Sequence, residues 1–273
     1  MKGIILGMLA ETPVHVGAGQ SSGFVDLPVA REGITSYPVI PSTGLKGSFR
    51  QFVEENEMRN ELFGKEGGSN DDGSAGNIIF SEGRLLLLPV RSLTTSYKWV
   101  TCLHILERLK RDILRISGKD EDSLPLEIKY IPHKQGMGNN PGKIFLEERE
   151  FEIKDTVDGK IIQLLEMMIP NKDAASRVKD RLLILNDDDF KWFAQYGLAV
   201  NARNVLHKDT KASKNLWYEE VIPSDSIFYT IVMERKKNML EKIEAMIGDN
   251  PYVQVGGNET VGQGWFNVSK IEG

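Results

Sequence analysis

An α+β fold of the ferredoxin-like type, carrying large insertions, is what this 273-residue chain predicts. Three features point to it. An apolar strand opens the chain and an amphipathic helix and further strands follow it; strand, helix and strand recur at the far end; and the stretch between them keeps neither period. A doubly wound parallel sheet would need helices to alternate with strands throughout, and they do not.

Residues 2–11 mix Ile4, Ile5, Leu6, Met8 and Leu9 with small residues, a run suited to a buried central strand. Glu11 follows without a small-residue cleavage site, so the run reads as strand and not as signal peptide. Thr12 to Pro41 carries repeated glycine with Pro13, Pro28 and Pro38 and is expected to be irregular, with brief strands near 25–31 and 34–40. A connection of that length inside a compact fold is usually functional or mobile. Leu45, Phe49, Phe52 and Val53 then fall at i, i+4, i+7 and i+8, the clearest amphipathic helix of the chain, with Ser42 and Thr43 available as its N-cap. The same period sets Lys46 and Arg50 one turn apart beside the buried stripe.

Residues 64–77, GKEGGSNDDGSAGN, hold almost nothing to bury and read as a mobile surface loop. Residues 78–90 read as two strands around a Glu82-Gly83 turn, and a helix is expected over about 100–116 with Leu103, Leu106, Leu109 and Ile113 facing inward. A middle insertion, about 118–195, is polar and glycine-rich up to 143, partly alternating over 143–153, and mainly helical over 157–195 with an acidic break at Asn186–Asp189. Strands at 197–203, 215–222 and 225–235, a helix at 236–247 and strands at 251–257 and 264–271 complete what is expected to be one domain, 1–273.

Lys and Arg total 34 against 39 acidic residues, a net charge of −5, so a polyanion partner must be held by a local patch and not by a generally basic surface. One cysteine, Cys102, excludes an intramolecular disulfide and a multi-cysteine zinc site and fits a reducing cytoplasm. The apolar run from Leu85 to Val90 is far short of the roughly 20 residues that span a bilayer, so no membrane partner is expected. Walker A, nucleophile-elbow and H-E-x-x-H patterns are missing, and the dinucleotide fingerprint begun by Gly17 and Gly19 fails at Ser22.

Four clusters carry candidate chemistry. His15 and Asp26 are ionisable groups on a glycine-rich segment where backbone can approach a ligand closely; together they can move a proton or hold a metal. PSTGLKGSFR, 41–50, gathers helix N–H groups, the hydroxyls of Ser42 and Thr43, and the cations Lys46 and Arg50 around one point, a physically sound phosphate site. Near the C-terminus, Gly256, Gly257, Gly262 and Gly264 suggest a loop of N–H donors able to follow a sugar-phosphate backbone. Residues 201–215 set Arg203, Lys208, Lys211 and Lys214 against the one carboxylate of Asp209, and the following strand places Glu219 and Glu220 on opposite faces, so that at most one of them shares a site with Asp26.

In order along the chain, H-V-G-A-G (15–19), G-x-x-D-L-P-x-x-R (23–31), P-S-T-G-L-K-G-x-x-R (41–50), P-V-R-S followed by W-V-T (89–101), L-W-Y-E-E-x-x-P (216–223) and G-G-N-E-T-x-G-Q-G (256–264) resemble the RAMP superfamily, and within it the repeated backbone subunits of type III-B CRISPR effectors, the Cmr complexes. The resemblance implies an RNA-recognition-type ferredoxin core with a thumb-like hairpin, for which the middle third and the 201–215 patch are both candidates. It also implies a filament of identical subunits along a guide CRISPR RNA, together with other Cmr subunits, and endonucleolytic cleavage of the paired target RNA at regular intervals. Carried onto this sequence, the cleavage aspartate matches Asp26, His15 falls in the motif of a catalytic helper, and Glu220 matches an acidic residue near the same site. Ser42, Thr43, Lys46, Arg50 and the terminal glycines match guide-RNA backbone contacts, and Arg203 is a further RNA-binding candidate from the charge of the 201–215 patch. A divalent metal at Asp26, Mg²⁺ by its chemistry, fits such a site. A non-catalytic guide-binding scaffold, a guide-processing ribonuclease of the same superfamily and the type III-A counterpart are the alternatives.

Overall fold

The computed structural model describes residues 2–65, 67, 73–126 and 129–271. The first part of the chain forms β1 (Gly3–Ala10), β2 (Val39–Ile40), α1 (Ser42–Gln51), α2 (Asn56–Phe63), β3 (Gly64–Lys65), β4 (Ser74–Ala75), β5 (Ile78–Phe80), β6 (Gly83–Arg91), β7 (Tyr97–Cys102) and α3 (Leu103–Ser117). The middle forms β8 (Gln135–Gly138), β9 (Gly142–Leu146), β10 (Arg149–Asp155), α4 (Gly159–Met167), α5 (Lys172–Ser176), α6 (Val178–Arg181), β11 (Leu182–Leu185) and α7 (Asp187–Tyr196). The last part forms β12 (Ala199–Leu206), β13 (Ser213–Val221), β14 (Ile227–Glu234), α8 (Met239–Asp249), β15 (Tyr252–Gln254) and β16 (Trp265–Lys270).

Among the described residues, twelve strands join one mixed sheet in the order β15-β16-β1-β14-β6-β7-β11-β8-β10-β9, with β2 beside β6 and β5 beside β14. β1 lies between β14 and β16, antiparallel to both, and its Leu6, Met8 and Ala10 are fully buried, as its apolar run requires. Helices α3 and α8 pack on this central region, and α1 packs on β5 and β15. The fold is therefore mixed α+β, and β7 and β11 pair in parallel to carry the sheet without a break into the middle insertion.

Several local expectations are corrected. The stretches 25–31 and 34–40 form only isolated bridges and the two-residue β2, because Pro28 and Pro38 offer no N–H to a ladder. Pro41, not Ser42 or Thr43, is the N-cap of α1, and no side chain caps it. The 78–90 segment is no hairpin: β5 and β6 lie one after the other along β14, joined at Ser81, whose N–H donates to Ile231. The helix expected from about 100 starts only at Leu103, since β7 runs to Cys102, and Ile105 faces inward where Leu103 and Ile113 are half-buried. Residues 143–153 are a hairpin, β9 and β10, turning at Glu147 with positive φ. The run Leu182–Leu185, included in the expected helix, is a fully buried strand; four consecutive apolar residues carry no period to tell the two apart. The acidic stretch begins α7: the Asn186 side chain accepts from the Asp188 N–H, and three aspartates sit at the positive end of the helix dipole. α2 is unannounced by its sequence because only Leu62 and Phe63 are buried in it. The ends of the 64–77 loop pair as β3 and β4, and most of the rest lies outside the described residues.

Candidate active site and nucleic-acid interface

β12 and β13 form a two-stranded sheet of their own, and their outer parts are exposed on both faces. Val200, Val205, Leu206, Leu216 and Tyr218 are each between 43 and 52% exposed, which an arm buried against nothing must tolerate. The burial changes at the base, where Glu219, Glu220 and Val221 are enclosed.

That base organises the N-terminal segment. One edge of β13 pairs with β12, and the other receives the glycine-rich chain by hydrogen bonds from alternate residues. The Tyr218 N–H donates to Asp26 Oδ2 at 2.7 Å, and the Leu27 N–H donates to the Tyr218 carbonyl while Leu27 accepts from the Glu220 N–H. His15 Nδ1 lies 2.8 Å from the Glu220 carbonyl oxygen, and Val14 exchanges both backbone bonds with Ile222. Asp26 and His15 thus hang from the same strand edge two residues apart, about 7 Å along the backbone. A carbonyl only accepts, so Nδ1 of His15 carries a proton, which leaves Nε2, the atom a Cβ at Gly17 would approach to 3.0 Å, as the ring nitrogen not held by Glu220. Asp26 itself is exposed.

The two glutamates point to opposite faces, as period 2 demands. Glu220 Oε1 pairs with Arg31 at 2.6 Å and its Oε2 accepts from the Val29 N–H at 3.0 Å, so both oxygens are spent inside the protein. Arg31 also donates to the Ser36 and Ala194 carbonyls, tying the segment to the last turn of α7, where a cation complements the dipole. Glu219 Oε1 accepts from Asn258 at 2.5 Å and lies 3.4 Å from Arg203.

The terminal glycines do not form the free-donor loop their sequence suggests. Gly257 donates to the His15 carbonyl, Gly262 to Glu259 and Gly264 to Pro13. Gly256 has φ of +91°, and a Cβ there would lie 2.4 Å from the His15 carbonyl oxygen. Gly256 and Gly264 let backbone press on backbone, whereas a Cβ on Gly262 would meet nothing within 4 Å; three of the four N–H groups serve the protein itself.

A second locus lies at α1. A cleft of about 630 Å³ is bordered by Ser42, Thr43, Lys46, Arg50, Lys65 and Arg235, and no carboxylate lines it among the described residues. Because Pro41 takes the capping position, the Ser42 and Thr43 hydroxyls have no hydrogen-bond partner among the described residues. Arg50 is braced by the Gly64 carbonyl. A Cβ at Gly44 or Gly47 would meet nothing within 4 Å, so packing inside the protein does not call for glycine there.

The sequence-derived candidates therefore separate into Asp26, His15, Glu220 and Arg203 at the hairpin base and Ser42, Thr43, Lys46 and Arg50 at the cleft. Lys65, Arg235, Arg31 and Asn258 were missed. Arg31 closes a motif already singled out, and Arg235 opens a run of three cations after β14, signals that could have found both. Cys102 is no nucleophile: it is enclosed beside the Tyr37 hydroxyl, and burial pushes its thiol up to about 12. Among the described residues no three His, Cys, Asp or Glu side chains converge as a preformed metal site, and no helix is long and apolar enough to cross a membrane.

The sequence model of the RAMP superfamily matches residues 8–267. Over its whole length the chain is 32% identical to the CRISPR system Cmr endoribonuclease Cmr4 of Pyrococcus furiosus, of which it covers 97%. It is 25% identical, over 94% of each chain, to the CRISPR system CMR subunit Cmr4 of Saccharolobus solfataricus. The crystal structure of oligomeric Cmr4 from Pyrococcus furiosus has a TM-score of 0.77 to it at 28% identity, with 100% of both chains covered.

Proposed function

The chain belongs to the RAMP superfamily, and from that premise we propose that it is the backbone subunit of a type III-B CRISPR effector, an endoribonuclease that acts within the assembled Cmr complex. Its partners are guide CRISPR RNA, complementary target RNA, further copies of itself and other Cmr subunits. The observation that carries this reading is the full-length 32% identity to a Cmr endoribonuclease. The strand order β16-β1-β14-β5, every neighbour antiparallel, with α1 between β1 and β5 and α8 between β14 and β16, supports a ferredoxin-like core. The β12–β13 arm, exposed and apolar at its sides, supports the thumb assignment, and the unbroken sheet supports one domain over 1–273. A buried free Cys102 is in keeping with work in the cytoplasm.

The cleft at α1 offers hydroxyls, cations and glycine-thinned backbone to the guide's phosphates. Cleavage beside a ribose needs the 2′-hydroxyl aligned with the scissile phosphorus, a proton acceptor for it, and help for the departing 5′-oxygen. Asp26, exposed and fixed through Oδ2, orients the hydroxyl with its other oxygen, while His15 takes or returns a proton at Nε2. Glu220, with both oxygens engaged, positions the segment and does not touch RNA. Oδ1 of Asp26 has no protein donor among the described residues, which suits Mg²⁺, an ion that commonly takes one or two carboxylates and completes its shell with phosphate and water. Bound there, it would supply electrostatic stabilisation of the developing phosphate charge.

The test is a complex reconstituted with guide and target, with and without Mg²⁺. Asp26→Ala is expected to lower regularly spaced cleavage by about 10²-fold or more while target binding stays intact. Undiminished cleavage would move the chemistry to another subunit. Products should end in a cyclic phosphate or 3′-phosphate; a 5′-phosphate on the downstream fragment would overturn the attack by the 2′-hydroxyl.

A further inference from the structure

We propose that the cleft between the start of β7 and the α5–α6 turn is a second phosphate-binding site, remote from the cleft at α1. Lys98 stands at its floor. The residue is 6% exposed, lies opposite Val90 in the β6–β7 ladder, and uses its Nζ to donate to the Asp180 carbonyl at 2.7 Å. No carboxylate lies within 4.0 Å of that ammonium among the described residues, and burial followed by the nearby Arg181 charge holds its pKa below the ordinary lysine value. An enclosed ammonium beside a second cation is costly unless an anion joins them.

The surroundings supply what such an anion needs. Arg181 donates to the Tyr97 carbonyl and lies over the Tyr97 ring at 5.0 Å, which fixes its guanidinium at the wall. Arg177 is exposed at the rim and has no ion-pair partner among the described residues, and Ser96 and Asn140 add neutral donors. Asp180 is the one carboxylate lining the cleft, against the three cations Lys98, Arg177 and Arg181. Two guanidiniums and an ammonium converging with neutral donors match the several oxygens of a phosphate group. The distance from the first cleft follows from the sheet. Gly83 begins β6 opposite Ile40, just before α1, while Val90 near its end pairs with Lys98, so β6 alone separates the two by about 23 Å. The inference rests on the reading of the chain as an RNA-binding subunit, which makes a phosphodiester of a bound strand one source of the ligand; free phosphate is the other.

The experiment compares wild type, Arg177→Ala and Lys98→Met, the exposed Arg177 providing the variant that cannot be dismissed as misfolded. Inorganic phosphate, titrated into the full-length protein, should raise Tm in the wild type and less so in both variants. In complexes that still cut target at regular intervals, Arg177→Ala should lower the salt-dependence slope of RNA binding by about one, and photocrosslinks from RNA should reach residues 172–181. A phosphate response without RNA crosslinks there identifies free phosphate as the ligand of the same site. Equal phosphate responses in all three proteins, or crosslinks from this cleft to an acidic segment of a neighbouring chain with no phosphate response, would overturn the proposal. Because the complexes tested remain active, such a failure would leave the nuclease reading standing.

Discussion

Gly44 and Gly47 at the start of α1 look like Gly256 and Gly264 of the terminal loop in the sequence, yet the structure gives the two pairs opposite surroundings. A Cβ on Gly44 or Gly47 would enter open space, whereas one on Gly256 or Gly264 would strike a carbonyl oxygen at 2.4 or 2.3 Å. The first pair leaves room for something outside the chain; the second makes room for the chain itself. A glycine in a sequence reports that something comes close, and only the fold says what.

Substitutions can break that contrast. Gly256→Ala should be the most damaging: positive φ and the clash with the His15 carbonyl should cost about 3 kcal/mol in chemical denaturation and displace His15 as well. If stability is unchanged, the loop contact is not what holds the glycine. Asn258→Ala removes bonds to Glu219 and Gln263 from the same loop and should cost about 1–2 kcal/mol, with Gln263→Ala, which spares the Glu219 bond, milder. At the other end, Gly47→Ala should stabilise the RNA-free protein by about 0.5–1 kcal/mol while weakening guide binding. A gain in stability with no loss of affinity would show that nothing approaches that face. The smallest structural effect belongs to Lys46→Ala, for which the expected change lies in RNA affinity and in a flatter salt dependence and not in thermal stability.

What could be read from the sequence divides along a physical line. The central strand, the period of α1, and the final strand–helix–strand order were legible because each repeats a local pattern. Asp26, His15 and the Lys46–Arg50 pair stand out in the sequence as residue types in suggestive settings, and the structure hangs the first two from one strand edge and sets the other two at one cleft. The strand at Leu182–Leu185 was not, since an unbroken apolar run fits either a strand or a buried helix. Nor were the partners of Glu220, Val29 and Arg31, which lie about 190 residues away in the chain. The glycine loop misled for a related reason: donors that look free in a sequence are spent on Pro13 and His15, contacts that exist only once the two ends of the chain meet.

The long sheet also has a consequence for growth. Its outermost strands in the ladder order are β15, three residues, and β9, five residues. Edges so short offer little template for another chain's backbone, the usual route by which β-rich proteins accrete into fibres. Fusion of the main sheet through these two edges is therefore disfavoured when copies of this subunit are held side by side.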